Sequence, residues 1–468
     1  MKKPNILWIM TDQHKHDAFS FRGGKKGLTE NLDRLAEDSH TFSNCYCPSP
    51  VCGPARSSMK TGLFPPENGV IGNWIEFDDG INFLPKEVEN AGYETGMAGK
   101  LHFWPPERDY GFQSRWLSDA PYDVYADDPD HSAYIAWLRD RFAKDGKTDP
   151  VELFNADERS YDDNIKRFIM GSDFRTVEEH ETNWTTERTL EFLKNRNEDK
   201  PFFFYCSYFG PHQPYCPPEP YRSWMSEDEI ELPDSYYNDY KKDSEVFNHT
   251  ARTTWNHLRK NLSEDDVKNC IAAYMGQVKM IDDSIGRIMD YLKENNLYDD
   301  TLIIFSSDHG DHLAEHGLFF KTDMYDSCAK VPLIIKMPGR HKAFDDDRIV
   351  NTIDLYKTIL DITGARDLND SRYSRSLLPI MEDEKAEWQN ETYSIIGNKP
   401  EKALTMLRKE DFKLIRYPGG YYELYNLKED SREINDLWKS MEDDEEIISL
   451  RKQLDDWSES MIGKYPAK

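Results

Sequence analysis

The sequence has no apolar run long enough to cross a bilayer. Its first apolar stretch, Ile6-Leu7-Trp8-Ile9-Met10, is closed by Asp12. That run is too short for a signal-peptide core, and no small-residue cleavage site follows it. A cytoplasmic location with no membrane partner is the expectation. Cysteine is sparse and odd in number, seven in 468 residues, which argues against a disulfide framework and leaves at least one thiol free or modified. Positive charge is short as well: 59 Lys and Arg face 87 Asp and Glu, a net charge of −28. Such a chain lacks the basic field that phosphate backbones require, so nucleic acid is excluded as a partner and anionic surfaces are repelled. Internal repeats and low-complexity tracts are missing too.

What is present is a large α/β pattern. Hydrophobic residues make up 38% and aromatic residues 13%, enough for a sizeable core. Short apolar runs at 4–10, 93–98, 201–208, 301–306 and 331–337 read as strands. Segments of helical period lie at 28–39, 83–91, 181–197, 265–295 and 354–363, with Thr29 as the expected N-cap of the first. This alternation predicts a large, doubly wound, mostly parallel sheet flanked by helices. Residues 114–180 and 213–260 show no clean period and read as surface excursions or as walls of a pocket. After Gly364 the texture changes. Segments 403–407, 413–417 and 421–425 predict short antiparallel strands, with a helix near 443–460. The expected division is a catalytic α/β domain over 1–365 and a smaller α+β domain over 366–468, whose strands serve either as packing or as an interface between copies.

Ligands of parallel sheets sit beyond the carboxyl ends of the strands. There the sequence places Asp12-Gln13, then Lys100 and His102 after the 93–98 run, His212 after 201–208, and Asp308-His309 after 301–306. Taken singly, each has an ordinary reading as a turn, a cap or a hydrogen-bonded core residue. Together at one edge they form a candidate site. Asp12, Gln13, Asp308 and His309 offer oxygen and imidazole donors suited to a hard divalent cation, Ca²⁺ or Mg²⁺, with Mn²⁺ left open by the imidazole. Lys100, His102, His212 and Lys321 can bind an anion and move protons. A cation beside ammonium groups suits transfer of a sulfuryl or phosphoryl group.

The candidate nucleophile is Cys52, in Val51-Cys52-Gly53-Pro54-Ala55-Arg56, which runs into a helix expected to end at Gly62. At that N-terminus the helix dipole favours negative charge. A bare thiol matches a hard-metal site poorly, and a buried structural cysteine is the competing reading.

The C-x-P-x-R stretch followed by Thr61-Gly62 resembles the signature of the formylglycine-dependent sulfatases, within the alkaline-phosphatase-like superfamily. Pro4-Asn5-Ile6-Leu7 leading to Asp12, Asn31-Leu32-Asp33-Arg34-Leu35-Ala36, Gly99-Lys100-Leu101-His102, Ser307-Asp308-His309-Gly310-Asp311 and Glu423-Leu424-Tyr425-Asn426-Leu427 match in the same order. Asp12-Gln13 in place of an Asp pair, and the C-G-P-A-R wording, resemble the branch of choline sulfatases and phosphonate monoester hydrolases. The resemblance implies that a formylglycine-generating enzyme converts Cys52, and that the hydrate of the product attacks sulfur. It further implies that Asp12, Gln13, Asp308, His309 and the modified Cys52 hold one divalent cation, Ca²⁺ foremost. Lys100 and Lys321 would stabilise the sulfuryl oxygens, and Arg56 would orient the modified residue. His212, with Lys321 as its competitor, would protonate the leaving alcohol, and His102 would take the proton whose loss frees the sulfate. Asn73 and Trp74 are candidates for the substrate pocket. The expected activity is hydrolysis of a small-molecule or sugar sulfate ester. A phosphonate monoester or phosphodiester hydrolase using the same site is the alternative, and a non-catalytic binding protein with an unmodified Cys52 is the other class.

Overall fold

The computed structural model describes residues 3–119, 132–157, 173–237, 262–399 and 402–462. Eight strands form one sheet: β1 (Asn5–Asp12), β2 (His40–Tyr46), β3 (Glu94–Gly99), β4 (Ser114–Leu117), β5 (Phe202–Pro211), β6 (Thr301–Ser307), β7 (Leu333–Lys336) and β8 (Phe344–Asn351), in the order β4-β3-β5-β1-β6-β7-β2-β8. The neighbours β4, β3, β5, β1 and β6 are parallel, as are β2 and β8; only β7 runs antiparallel to its neighbours. The central strands are buried on both faces, which is why β1, β5 and β6 read as unbroken apolar runs. One face of the sheet carries Trp8, Met97, Phe203, Tyr205 and Ile304 in a shared core with the helix Asp354–Thr363. The other carries Leu7, Phe204 and Phe305 against the helices Glu181–Asn195 and Glu264–Glu294. Each fully buried side chain of this kind contributes about 1.5–3 kcal/mol.

A second, antiparallel sheet of β9 (Glu391–Ile396), β10 (Leu404–Lys409), β11 (Phe412–Tyr417) and β12 (Tyr421–Asn426) has the order β12-β11-β10-β9. The helix Glu445–Ile462 covers it, burying Ile447, Leu450, Leu454 and Trp457 with Phe64 and Ile353 of the larger unit.

Several elements differ from the sequence-based expectation. β2, β4, β8 and β9 were not expected: they are short or rich in polar residues, and β8 carries Asp345-Asp346-Asp347 on a sheet edge. The stretch 114–180 is not irregular throughout, since Ala133–Lys144 and Pro150–Asp157 are helices. Tyr134, Ile135, Leu138 and Phe142 fall on one face of the first of these and pack on Trp184, a helical spacing present in the sequence. Within the two excursions, residues 120–131, 158–172 and 238–260 lie outside the described residues. Thr29 precedes its helix, but its hydroxyl donates to Asp33 Oδ1 at 2.7 Å and accepts the Ser20 N–H at 2.9 Å, instead of capping an amide of the helix. All seven cysteines are free and buried. No helix among the described residues is long and apolar enough to cross a membrane.

Candidate active site

The parallel strands β3, β5, β1 and β6 are consecutive neighbours, so their carboxyl ends form one edge. Register fixes the details. Thr11 lies opposite Ser307, which sets Asp12 beside Asp308. Gly99 lies opposite Ser207 at a φ of +96°, where any β-carbon would run into the Ser207 carbonyl; this close approach lets Lys100 N–H donate to Ser207 O at 2.8 Å. Lys100 thereby leaves the sheet aimed at Asp12.

The helix Cys52–Thr61 brings the third component. It is buried along its whole length and stops at Gly62 (φ +70°), where a side chain would strike the Tyr356 ring. Cys52 occupies its first turn. Asn73 closes that end, its Oδ1 accepting the Gly53 N–H at 2.9 Å, so this candidate pocket residue also caps the helix.

Cys52 Sγ lies 2.9 Å from Lys321 Nζ, 3.2 Å from His309 Nε2 and 3.8 Å from Asp12 Oδ1. Ligand atoms of Asp12, Cys52, Asp308 and His309 all fall within 4.8 Å of one another, and all four residues are buried. His309 Nδ1 faces the Gly310 carbonyl at 2.9 Å, which assigns its proton there and turns the Nε2 lone pair toward the cluster. Gln13 Oε1 joins the same space, accepting from Lys321 Nζ at 2.9 Å. Two buried carboxylates, an imidazole lone pair, an amide oxygen and the Cys52 position form a donor set that fits a hard divalent cation.

Cations surround this set. Arg56 Nε donates to Asp308 Oδ2 at 2.7 Å and Nη2 to Asp12 Oδ2 at 3.2 Å, while Nη1 reaches the Lys100 carbonyl at 2.8 Å and Ser207 Oγ at 2.9 Å. Lys100 Nζ lies 2.7 Å from Asp12 Oδ2. Burial pushes the Asp12 carboxyl up, but Lys100 foremost, with Lys321 and Arg56, holds it well below the usual range. Burial likewise raises the Cys52 thiol, as does Asp12, yet Lys321 and Lys100 bring it below its ordinary value. Lys321 is raised despite burial, by the negative charge of Cys52, Asp12 and Asp308, and stays an ammonium.

The two remaining histidines are neutral. Burial, reinforced by Lys100 and Arg56, holds His102 well below its usual range; burial and Lys321 do the same to His212. Neither ring nitrogen of His102 has a hydrogen-bond partner among the described residues. Its backbone takes a φ of +61°, and Asp119 Oδ1 accepts the N–H groups of Leu101 and His102 at 2.6 and 2.8 Å. The Trp74 ring packs edge-on to His102 at 4.5 Å and is 39% exposed, at the open side of the site. His212 Nδ1 faces the Gln213 carbonyl at 2.7 Å, leaving Nε2 available.

Every residue singled out in the sequence thus lies in this one region: Asp12, Gln13, Cys52, Arg56, Asn73, Trp74, Lys100, His102, His212, Asp308, His309 and Lys321. Sequence reasoning missed Asp119 and Ser207, which hold His102 and Arg56 from behind. It also gave no role to Asp311, although that residue stands within the Ser307–Asp311 stretch.

Comparison with known proteins agrees with this architecture. The family model described as Sulfatase matches residues 4–365, and the model described as N-sulphoglucosamine sulphohydrolase, C-terminal, matches 314–460. An arylsulfatase from Clostridium perfringens is 28% identical, covering 93% of this chain and 90% of its own. The solved structure of BT4656 in complex with its substrate D-glucosamine-2-N,6-O-disulfate is 25% identical, with a TM-score of 0.77 and 98% coverage of both chains. The phosphonate monoester hydrolase of Agrobacterium radiobacter has the same fold at 21% identity, with a TM-score of 0.78 over 98% of this chain and 95% of that one. The chain belongs to the sulfatase family, enzymes of the alkaline-phosphatase-like superfamily that hydrolyse sulfate esters.

Proposed function

We propose that this chain hydrolyses the sulfate ester of a small molecule or sugar, with a formylglycine made from Cys52 and one divalent cation, Ca²⁺ foremost, in the site. The observation that carries this reading is the convergence of Asp12, Asp308, His309 and Cys52 within 4.8 Å, buried and ringed by Arg56, Lys100 and Lys321. Asp12, Gln13, Asp308, His309 and the modified Cys52 would hold the cation. Together the ion and the hydrated aldehyde supply an electrophile for the ester oxygens and an oxygen nucleophile, which a thiol does not.

The chain's own residues do the rest. Lys100 and Lys321 present ammonium groups to the sulfuryl oxygens, where charge is fixed before reaction and water is excluded. Arg56 ties Asp12 to Asp308 and keeps both carboxylates aimed at one point. His212 Nε2 gives a proton to the leaving alcohol: the ring is neutral in the free enzyme, and the negative charge of a bound ester favours its protonation. His102, neutral with free ring nitrogens, accepts the proton that must leave the Cys52-derived group before sulfate departs. Because Cys52 is only 1% exposed and its helix is buried throughout, the maturating enzyme acts before this region folds. A sugar ring as the alcohol part accords with the exposed Trp74 face beside His102 and with the glucosamine disulfate bound by BT4656.

Two measurements test the reading. kcat/KM on glucosamine 6-sulfate and on an aryl sulfate should exceed that on a phosphonate monoester; a preference for the phosphonate overturns the sulfatase assignment in favour of the alternative reaction. Asp12→Ala should abolish stoichiometric metal in purified protein, and one tightly held divalent ion per chain in that variant would break the ligand set.

A further inference from the structure

Gln13 and Asp311 lie in direct contact, and the partners of each are divided between their two polar ends. Gln13 Nε2 donates to Asp311 Oδ2 at 2.5 Å and to Gln213 Oε1 at 2.9 Å, while Gln13 Oε1 faces Lys321 Nζ at 2.9 Å, on the side of Cys52. Both residues are fully buried. Asp311 Oδ2 also accepts from the Tyr215 hydroxyl. Its other oxygen is committed elsewhere: Oδ1 accepts the backbone N–H groups of Leu313 and Phe320 at 2.8 and 2.9 Å, closing the loop that delivers Lys321.

We propose that Asp311 is a positioning residue that sets which end of the Gln13 amide faces the cation site. The proposal rests on the reading of Gln13 as a cation ligand. An amide presents an acceptor at one end and a donor at the other. With a carboxylate oxygen at 2.5 Å, only the NH₂ end can face Asp311, so the oxygen is forced toward Lys321 and Cys52. An aspartate at position 13 would reach less far and would set two buried carboxylates against each other. The Asp12-Gln13 pair and Asp311 are therefore matched in donor and acceptor sense.

The arrangement allows a test that separates this role from loop structure. In Asp311→Asn, the two backbone N–H groups still require the amide oxygen, so the NH₂ is turned onto Gln13 and the loop cap is kept. Gln13 must then invert, presenting its own NH₂ to the cation site. In the D311N background, Gln13→Glu restores an acceptor at both ends. With Asp311 present, the same change sets two acceptor-only carboxylates face to face, with no donor between them.

The experiment measures Ca²⁺ affinity of the full chain by competition with a fluorescent chelator, with circular dichroism to verify folding. D311N should bind Ca²⁺ about 10–100-fold more weakly than wild type, the range expected when a partner of a metal ligand is lost. Q13E should recover most of that loss in the D311N chain and should give no gain when Asp311 is present. Equal affinity of D311N and wild type, or an equal gain from Q13E in both backgrounds, overturns the role of Asp311 while leaving the cation site intact. If D311N does not fold, Q13E alone decides: tighter binding than wild type overturns the proposal, and unchanged or weaker binding supports it. A wild-type chain that binds no divalent ion overturns both this proposal and the cation site.

Discussion

Removing the Arg56 guanidinium tests the electrostatic account at its most crowded point. Arg56 is fully buried, and it donates to both carboxylates and to the Lys100 carbonyl. Arg56→Ala leaves Asp308 without its 2.7 Å partner and opens a cavity beneath Cys52. Breaking one side of a buried ion pair costs about 3–5 kcal/mol. The orphaned Lys100 carbonyl adds about 1–3 kcal/mol where water cannot enter. Against a total of about 5–15 kcal/mol, such a loss is severe. Arg56→Lys keeps the charge but supplies one nitrogen where three are used, and should fall between the two. The readout is urea unfolding of wild type, R56K and R56A, with chelator and with saturating Ca²⁺. A bound cation compensates Asp12 and Asp308, so the gap between R56A and wild type should narrow with Ca²⁺ and widen with chelator. Asp12 adds an acid response: Lys100 foremost, with Arg56 contributing, holds its carboxyl below the unfolded value, so its contribution is present above the usual carboxylate range and is lost as pH falls through the folded value. R56A should therefore unfold at higher pH than wild type. A loss under about 1 kcal/mol in chelator, or a gap indifferent to Ca²⁺, would show that Arg56 does not hold the two carboxylates in this way.

His102→Ala should release alcohol in one burst matching the enzyme concentration and then stall; sustained turnover would remove His102 from its role. Because burial, Lys100 and Arg56 keep His102 neutral, the acid limb of kcat should lie below the ordinary histidine value of about 6.5, and a limb at or above that value would contradict the assignment. Lys60 Nζ is buried over the rings of Trp8 and Tyr205, at 3.6 and 3.7 Å, and has no hydrogen-bond partner among the described residues. Burial and Arg56 hold it well below the usual lysine range, so the unfolded chain binds this proton more tightly and stability rises with pH up to the ordinary lysine value. Lys60→Met should raise Tm at neutral pH, with the gain shrinking as pH climbs toward the lysine range; a lower Tm would show that the ring contacts outweigh the burial.

Much of the site was legible because a parallel sheet turns a one-dimensional pattern into a place. An apolar run followed by Asp12, Lys100, His212 or Asp308 marks a strand end, and buried central strands have no polar alternation to blur the signal. The glycine at 62 marked the end of the Cys52 helix for a steric reason that the Tyr356 ring makes concrete. Edge elements were less readable. β8 pairs through its backbone with Asp345 and Asp347 exposed, and its apolar signal is confined to Ile349-Val350, too short a run to announce a strand of eight residues. Side-chain polarity was not readable at all. That Gln13 points its oxygen inward depends on Asp311, whose direction depends on the path of residues 312–320, and no spacing rule encodes that path. Asn73 shows a similar limit: its proximity to Cys52 follows from the chain's return after Gly62, while its capping bond to Gly53 appears only in three dimensions.

Under the proposed function, Cys52 is encoded as a cysteine and acts as an aldehyde. Mass spectrometry of the tryptic peptide Leu35–Arg56, from active protein isolated from its native host, tests it directly. The expected peptide mass matches an aldehyde in place of the thiol at Cys52, with Cys45 and Cys47 intact. An unmodified Cys52 thiol in protein that turns over a sulfate ester would contradict it.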